Sequence, residues 1–337
     1  MVSIIPLPAC YVFNRRSLAE QQFVRVALLA MFSQWFDRQS PYAYPFVPPS
    51  PADTLKALEQ AIAVHKERIQ QYPEDGLDRA SLAGLYLKLA RTTGEESWYL
   101  LAEQEARQSL INLPFFNDGA ILTLARVAEA KHDFATAIGL AEQASGVEAL
   151  GIVVTSKLAL GDVEAADTAA KALVNLTPTP GSFALRALTR WARGDRAAAL
   201  QDFQQAIATE EPDDARGSAW VRTLLGRFYA EQGNLTLAGQ LYREALNILP
   251  DYPLALLQLG ELNTRLGRYR SAERWYAQLD NPLAWQGIAR IRATRGNAAK
   301  AEVGWGRAES VLRQQIAGNA LGHRRDLATL LLERGGY

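Results

Sequence analysis

Apolar residues recur every three or four positions along most of the chain, which is the spacing that lines one face of an α-helix. From about residue 76 onwards the helical segments come in pairs, and a short turn with glycine or a following proline separates them. Strand-like segments are missing from the pattern. The sequence therefore predicts an all-α chain built from antiparallel helix hairpins.

The first 38 residues form a separate apolar or amphipathic segment. Residues 23–36 read FVRVALLAMFSQWF, and the uncharged part, residues 26–36, is shorter than the roughly 20 residues that span a bilayer. Its length suits the hydrophobic region of a signal peptide, but Arg25 and Gln34 interrupt it and no small-residue cleavage site follows. Two interpretations stay open: export or membrane association through residues 23–36, or an amphipathic helix packed on the end of the repeat region.

Residues 39–51 contain five prolines and are predicted to be an extended linker, because proline fixes φ and removes backbone donors. The linker ends in a helix start: Ser50 can cap, Pro51 suits the first turn, and Asp53 favours the positive helix terminus. The helical repeat region is therefore assigned to residues 52–337.

The clearest repeat unit starts at Ala219 and has the offsets of a helix-turn-helix repeat of about 34 residues. Small residues such as Gly226 let the two helices approach closely, and Tyr242 fills the gap between neighbouring hairpins. Gly233 makes the turn, and Pro250 ends the second helix. The positions that recur are Leu225, Gly226, Tyr229, Gly233, Ala238, Tyr242, Ala245 and Pro250.

Units that begin at Pro180, Pro253 and Pro282 agree with this one in phase, and weaker copies begin at about Asp118 and Val147. A first hairpin precedes them, with a lengthened turn predicted at residues 92–97, and a solitary helix is predicted from Pro51 to Gln71.

The pattern departs from the repeat at four places. Arg222 and Asn263 occupy positions where aromatic residues are expected, and residues 210–216 form an insertion before the Ala219 unit. The second helix of the Pro253 unit is predicted to be about one turn short, because the next unit starts already at Pro282.

These residues resemble the tetratricopeptide-repeat family over roughly residues 76–335. The resemblance implies an α-solenoid of stacked antiparallel hairpins that winds as a right-handed superhelix. It also implies that the first helix of each hairpin lines a concave groove, which binds a protein or peptide partner.

The last repeat is incomplete, since residues 319–334 have the spacing of a first helix without a second one. In one interpretation this helix is a solubilising cap. Its polar side would carry Arg324, Arg325 and Arg334. In the other, an apolar face awaits a partner or a missing segment. That face would carry Leu327, Leu330 and Leu331.

The amino-acid composition argues against several classes of function. The 337 residues carry 36 basic and 36 acidic side chains, so the surplus of positive charge that is typical of nucleic-acid binders is absent. A single cysteine, Cys10, excludes an internal disulfide and a cysteine-based zinc site. The three histidines have no second ligand at metal-binding spacing. We therefore expect neither a metal nor another cofactor.

No catalytic motif emerges from the sequence. It has no phosphate-binding loop, no dinucleotide-binding glycine pattern and no nucleophile elbow, so we expect the protein not to be an enzyme. One acidic cluster stands out in the insertion, and a solvated loop is the favoured interpretation over a metal site. It consists of Glu210, Glu211, Asp213 and Asp214.

The family resemblance also points to candidate groove residues when its groove-facing offsets are transferred to this chain. They are Arg126, Glu129, Trp191, Trp220, Arg227, Glu231, Glu261, Arg265 and Arg290. Four arginines on successive hairpins would suit carboxylates or acidic peptide segments, because a guanidinium can hold an oxyanion through two hydrogen bonds. The alternative is that these arginines and glutamates pair with one another, and that the two tryptophans belong to the core.

The leading functional hypothesis is an adaptor of bacterial type that binds a partner segment in the groove and assists assembly of a larger complex. A chaperone co-factor is disfavoured, because the asparagine that clamps a terminal carboxylate in that subtype is replaced in every repeat. The alternative is structural self-association into a homo-oligomer through the last helix and the apolar N-terminal segment. A cytoplasmic location is expected, with export or membrane anchoring as the alternative.

Overall fold

The computed structural model describes residues 51–93, 95, 97–317 and 323–335. The predicted apolar segment at residues 1–38 lies outside the described residues, and so does the predicted linker apart from Pro51.

The described residues form sixteen α-helices and no strand, which confirms the all-α prediction. The helices are α1 (Pro51–Gln71), α2 (Gly76–Thr93), α3 (Ser97–Asn112), α4 (Asp118–Ala130), α5 (Phe134–Ala141), α6 (Val147–Leu160), α7 (Val163–Leu176), α8 (Pro180–Ala192), α9 (Arg196–Ala208), α10 (Ala215–Glu231), α11 (Leu235–Ile248), α12 (Pro253–Arg265), α13 (Tyr269–Tyr276), α14 (Pro282–Thr294), α15 (Ala298–Ala317) and α16 (Arg324–Gly335).

The helices stack as seven hairpins, from α2–α3 to α14–α15, with α1 packed on α2 and α16 packed on the last hairpin. Each first helix also packs on the first helix of the next hairpin, whereas successive second helices make no backbone contact in the described part of the chain. Because the second helices splay apart, the first helices lie on the inner side of the stack. The predicted solenoid is confirmed.

The hairpin turns share one local structure. The second helices α5, α7, α9 and α11 each begin after an aspartate or asparagine whose side chain accepts a bond from a backbone N–H of the first turn. A residue with positive φ stands just before these caps, and glycine adopts that conformation without steric cost. Gly233 (φ +82°) is one such residue, while His132 (φ +58°) takes the place of glycine in the α4–α5 turn. The His132 ring stacks on Phe134 at 5.5 Å.

Tyrosines packed against glycines hold the hairpins together, as the repeat pattern predicts. A Cβ atom on Gly226 would lie 2.4 Å from Cε1 of the buried Tyr242, so only glycine fits there. Tyr276 makes the same contact twice, because a Cβ on Gly260 or on Gly287 would lie 2.4 or 2.5 Å from its ring. This ring therefore joins the hairpin α12–α13 to the next one.

Two predicted boundaries are wrong. Helix α10 begins at Ala215 rather than Ala219, because Asp214 caps it and accepts a bond from the backbone N–H of Gly217. The predicted lengthened turn at residues 92–97 is shorter, since α2 continues to Thr93 and α3 starts at Ser97. The prediction of a shortened second helix is confirmed, because α13 has 8 residues whereas α11 has 14.

The interpretation of the acidic insertion as a solvated loop is wrong for Glu210. Its carboxylate accepts two hydrogen bonds from the Arg222 guanidinium, one of them at 2.9 Å, and the side chains are 2% and 1% exposed. Glu244 lies 3.7 Å from the same guanidinium. Burial raises the pKa of Glu210 to about 7 and lowers the pKa of Arg222 to about 9. Arg222, which stands in place of an aromatic residue, thus ties the insertion to α10.

Helix α16 packs on the hairpin α14–α15. It has features of the predicted cap and also of the predicted apolar face that awaits a partner. Leu330 is fully buried against Trp305 and Leu312 of α15. Leu331 and Leu332, in contrast, are 39% and 78% exposed. Self-association through this surface stays a prediction.

Candidate functional site

The predicted groove residues lie on first helices, which form the inner side of the stack. They come from α4, α8, α10, α12 and α14, and they fall into four environments that differ in burial and in charge compensation.

On α4, the predicted arginine is already neutralised. Arg126 donates to Glu129 at 2.8 Å and to Glu148 of α6 at 3.2 Å. Glu129 in turn accepts hydrogen bonds from Thr155 and, at 3.1 Å, from Ser156. This polar cluster connects two successive first helices, and its charge is compensated within the protein.

The two tryptophans pack on the hydrophobic core. Both are partly buried against the cluster of residues shared by α8, α9 and α10. The Trp191 ring meets Phe228 edge to face, with 5.4 Å between the ring centroids. Packing of this kind stabilises the hairpin stack, so Trp191 and Trp220 have a structural role in the described fold.

The centre of the inner surface carries exposed charges from α10 and α12 around the hydroxyl group of Tyr242. Burial raises the pKa of Tyr242 to about 12. Arg227 and Arg265 lower that pKa while Glu231 and Glu261 raise it, so all four charges act on the same hydroxyl group. The structure thereby brings together four residues that the sequence assigned to two successive repeats.

Arg290 on α14 is compensated like Arg126. It lies 3.2 Å from Glu333 of α16 and 3.9 Å from Glu261. Burial lowers its pKa, but the two carboxylates outweigh burial and hold the pKa above its ordinary value.

The four predicted arginines therefore differ in whether a carboxylate of the protein neutralises them. Arg227 and Arg265 are exposed and form no ion pair with another described residue, and we call them the central arginine pair. Two guanidinium groups without an ion-pair partner, on successive first helices, can hold a carboxylate through charge-assisted hydrogen bonds. The residues that neutralise the flanking arginines, Glu148 and Glu333, were not predicted; their contacts depend on the register of neighbouring first helices.

Within the described residues, no group of three or more histidine, cysteine, aspartate or glutamate side chains is arranged to hold a metal ion. None of the described helices combines the length and the apolar character that crossing a bilayer requires.

Comparisons with known proteins agree with the hairpin architecture. Residues 229–284 match the tetratricopeptide-repeat family model. A crystal structure of a tetratricopeptide repeat protein from Parabacteroides merdae has a TM-score of 0.52 and 14% identity, and the match covers 75% of this chain and 98% of that one. No curated protein matches the sequence.

Two other solved structures are similar over shorter stretches. MamA shares 18% identity with a TM-score of 0.39, and the match covers 49% of this chain and 97% of that one. YrrB, described as a TPR protein with an unusual peptide-binding site, shares 18% identity with a TM-score of 0.37, covering 57% of this chain and 95% of that one. At these identities the likeness to the Parabacteroides protein shows the fold alone.

Proposed function

We propose that this chain, which resembles the tetratricopeptide-repeat family in sequence and in fold, is a protein-interaction scaffold. It holds a segment of a partner protein on the inner surface formed by its first helices and thereby assists assembly of a larger complex. Repeat solenoids suit this role, because each hairpin adds a modest contact area to one continuous surface.

The single observation that carries the proposal is the uneven charge compensation along the inner surface. Arg126 and Arg290 are neutralised by glutamates of the protein itself. The central arginine pair is exposed and forms no ion pair with another described residue. A partner would therefore be recognised over α10 and α12 rather than along the whole row.

The chemistry of this centre favours an extended segment with carboxylate groups. A planar guanidinium presents two parallel N–H donors that match the two oxygens of a carboxylate. Glu231 and Glu261 lie beside the pair and would repel a second acidic group placed directly over them. The partner segment would thus place its acidic side chain, or its terminal carboxylate, between the two arginines.

Affinity capture with charge reversal of the central arginine pair tests this proposal. In the Arg227→Glu/Arg265→Glu variant, we expect the amount of the main captured partner to fall at least about tenfold, because close like charges now face its carboxylate. Quantitative mass spectrometry of the captured proteins measures the change.

A matched control separates this site from a general charge effect. The Arg196→Glu/Arg295→Glu variant reverses two arginines that are also exposed but lie outside the centre, on α9 and in the α14–α15 turn. It should capture the partner as the unmodified protein does. Unchanged capture by the Arg227→Glu/Arg265→Glu variant would show that the inner surface does not bind the partner through these arginines.

A further inference from the structure

A pocket of about 460 Å³ lies on the other side of the stack, between α11, α12 and α13. Four of its eight lining residues come from the second helices α11 and α13, which splay apart on the outer side. Leu259 and Trp275 provide apolar surface, whereas the other lining side chains are polar or basic. The pocket is separate from the central arginine pair, neither member of which lines it.

The pocket coincides with the two places where the Pro253 unit departs from the repeat pattern. Asn263 stands where the preceding unit has Tyr229, so a smaller side chain occupies the space of an aromatic ring. Helix α13 ends at Tyr276 after 8 residues, whereas α11 has 14, which leaves open the space that another turn would fill.

Three arginines, Arg243, Arg268 and Arg274, line this pocket, and no acidic residue does. All three are exposed, and none forms an ion pair with another described residue. Arg274 donates to the Ser271 hydroxyl group at 3.2 Å, so one guanidinium is oriented by a second polar group of the same pocket. Three like charges converge here without a counter-charge from the described protein.

A second pocket in the same protein shows how such charges are otherwise compensated. It lies beside α5, the other second helix of 8 residues, and has a volume of about 320 Å³. Its basic side chains, Arg107 and Lys131, both donate to the carboxylate of Glu103, which lies in the same wall. The pocket beside α13 has no residue with the role of Glu103.

The start of α13 adds to the positive potential of the pocket. Arg268 occupies its N-cap position and makes no capping bond from its side chain, whereas α5, α7, α9 and α11 are capped by acidic or amide side chains. The positive end of the α13 dipole therefore lies beside the arginines without a carboxylate to balance it.

We propose that this pocket, which we call the outer arginine pocket, binds a phosphoryl group. Guanidinium groups bind phosphate through paired N–H···O bonds, and a phosphate dianion balances more of the three positive charges than a carboxylate does. The pocket is far larger than one phosphate, so the group belongs to a larger body, either a small phosphorylated molecule or a phosphorylated side chain of a protein. Trp275 offers apolar surface to that body.

Binding of two phosphorylated probes tests the inference and distinguishes the two sources. The probes are phenyl phosphate, as the small molecule, and a fluorescein-labelled peptide with one phosphoserine between glycines, as the protein segment. Calorimetry and fluorescence anisotropy measure the affinities at fixed ionic strength, since charge interactions depend on salt. We expect saturable binding of at least one probe and at least tenfold weaker binding of it by the Arg243→Gln/Arg268→Gln/Arg274→Gln variant.

The control variant Arg196→Gln/Arg216→Gln/Arg295→Gln removes the same number of exposed arginines elsewhere and should bind as the unmodified protein does. Circular dichroism confirms that both variants are folded. Binding of phenyl phosphate alone identifies a small molecule as the source, and preferential binding of the phosphopeptide identifies a protein segment. Failure of both probes to bind, equal loss in the control variant, or equal affinity for the unphosphorylated peptide would overturn the inference. The central arginine pair plays no part in it, so its test is independent of the inner surface.

Discussion

Replacing Arg222 by methionine is expected to destabilise the protein by about 3–5 kcal/mol, because the Glu210 carboxylate stays buried when its partner is removed. The side chains of Glu210 and Arg222 are almost fully shielded from solvent. The Arg222 guanidinium donates two hydrogen bonds to the Glu210 carboxylate. Chemical denaturation followed by circular dichroism measures the change in the free energy of unfolding.

Two variants check the cause of this effect. Arg227→Met removes an exposed arginine five residues further along α10 and should change the unfolding free energy by less than about 0.5 kcal/mol. Glu210→Gln/Arg222→Met removes both charges and should be more stable than Arg222→Met alone, since the buried Glu210 carboxylate is then no longer left without its partner. A double variant that is less stable than the single one would contradict the buried-pair explanation.

The burial of Glu210 also leads us to expect that the stability of the Arg222→Met variant depends on pH. Burial holds the pKa of the Glu210 carboxyl above its ordinary value, and loss of the arginine removes a group that favours the charged form. The folded state then binds a proton that the unfolded state releases, so stability falls as pH rises above the unfolded value of about 4.3. The destabilisation should therefore be smaller at pH 5 than at pH 8.

Replacing Tyr276 by alanine is expected to cost about 3–5 kcal/mol, because a large and fully buried aromatic side chain leaves a cavity. The ring packs on Gly260 in its own hairpin and on Gly287 in the next one. Its loss therefore weakens the interface between neighbouring hairpins, on which the stability of a repeat array depends. Besides a lower midpoint, we expect a broader denaturation transition as the last hairpins unfold before the rest.

Tyr276→Phe is the matched control, since it keeps the ring and removes only the hydroxyl group. Its cost should stay below about 1 kcal/mol, because the packed ring is kept and the hydroxyl group forms no hydrogen bond with another described residue. If the phenylalanine variant lost as much as the alanine variant, the hydroxyl group rather than the packing between hairpins would be responsible.

The repeat architecture could be predicted from the sequence because its determinants are local and recur in phase. The contact of Gly226 with Tyr242 and the turn at Gly233 are set by residues within one repeat, so their spacing along the chain is sufficient.

The charge network could not be predicted in the same way. Glu210 reads as one of four acidic residues in a polar insertion, and only the folded structure buries it against Arg222. The compensation of Arg290 by Glu333 joins residues 43 positions apart, through the packing of α14 against α16. Spacing within one repeat carries no information about such contacts.

The outer arginine pocket could be predicted from the sequence only in part. The sequence marks both irregularities that create it, the Asn263 substitution and the short second helix. It does not show that Arg243, one repeat earlier, faces the same space as Arg268 and Arg274. That convergence depends on how far apart α11 and α13 splay.

Site-specific photo-crosslinking tests most directly whether the first helices form the partner-binding surface. A photoreactive amino acid is placed at Glu231, an exposed residue of α10 on the inner surface, or at Gln204, an exposed residue of the second helix α9. After irradiation in the cells that produce the protein, we expect a partner protein to be crosslinked from position 231 and not from position 204. Crosslinks to that partner from position 204 alone, or equally from both positions, would contradict the account.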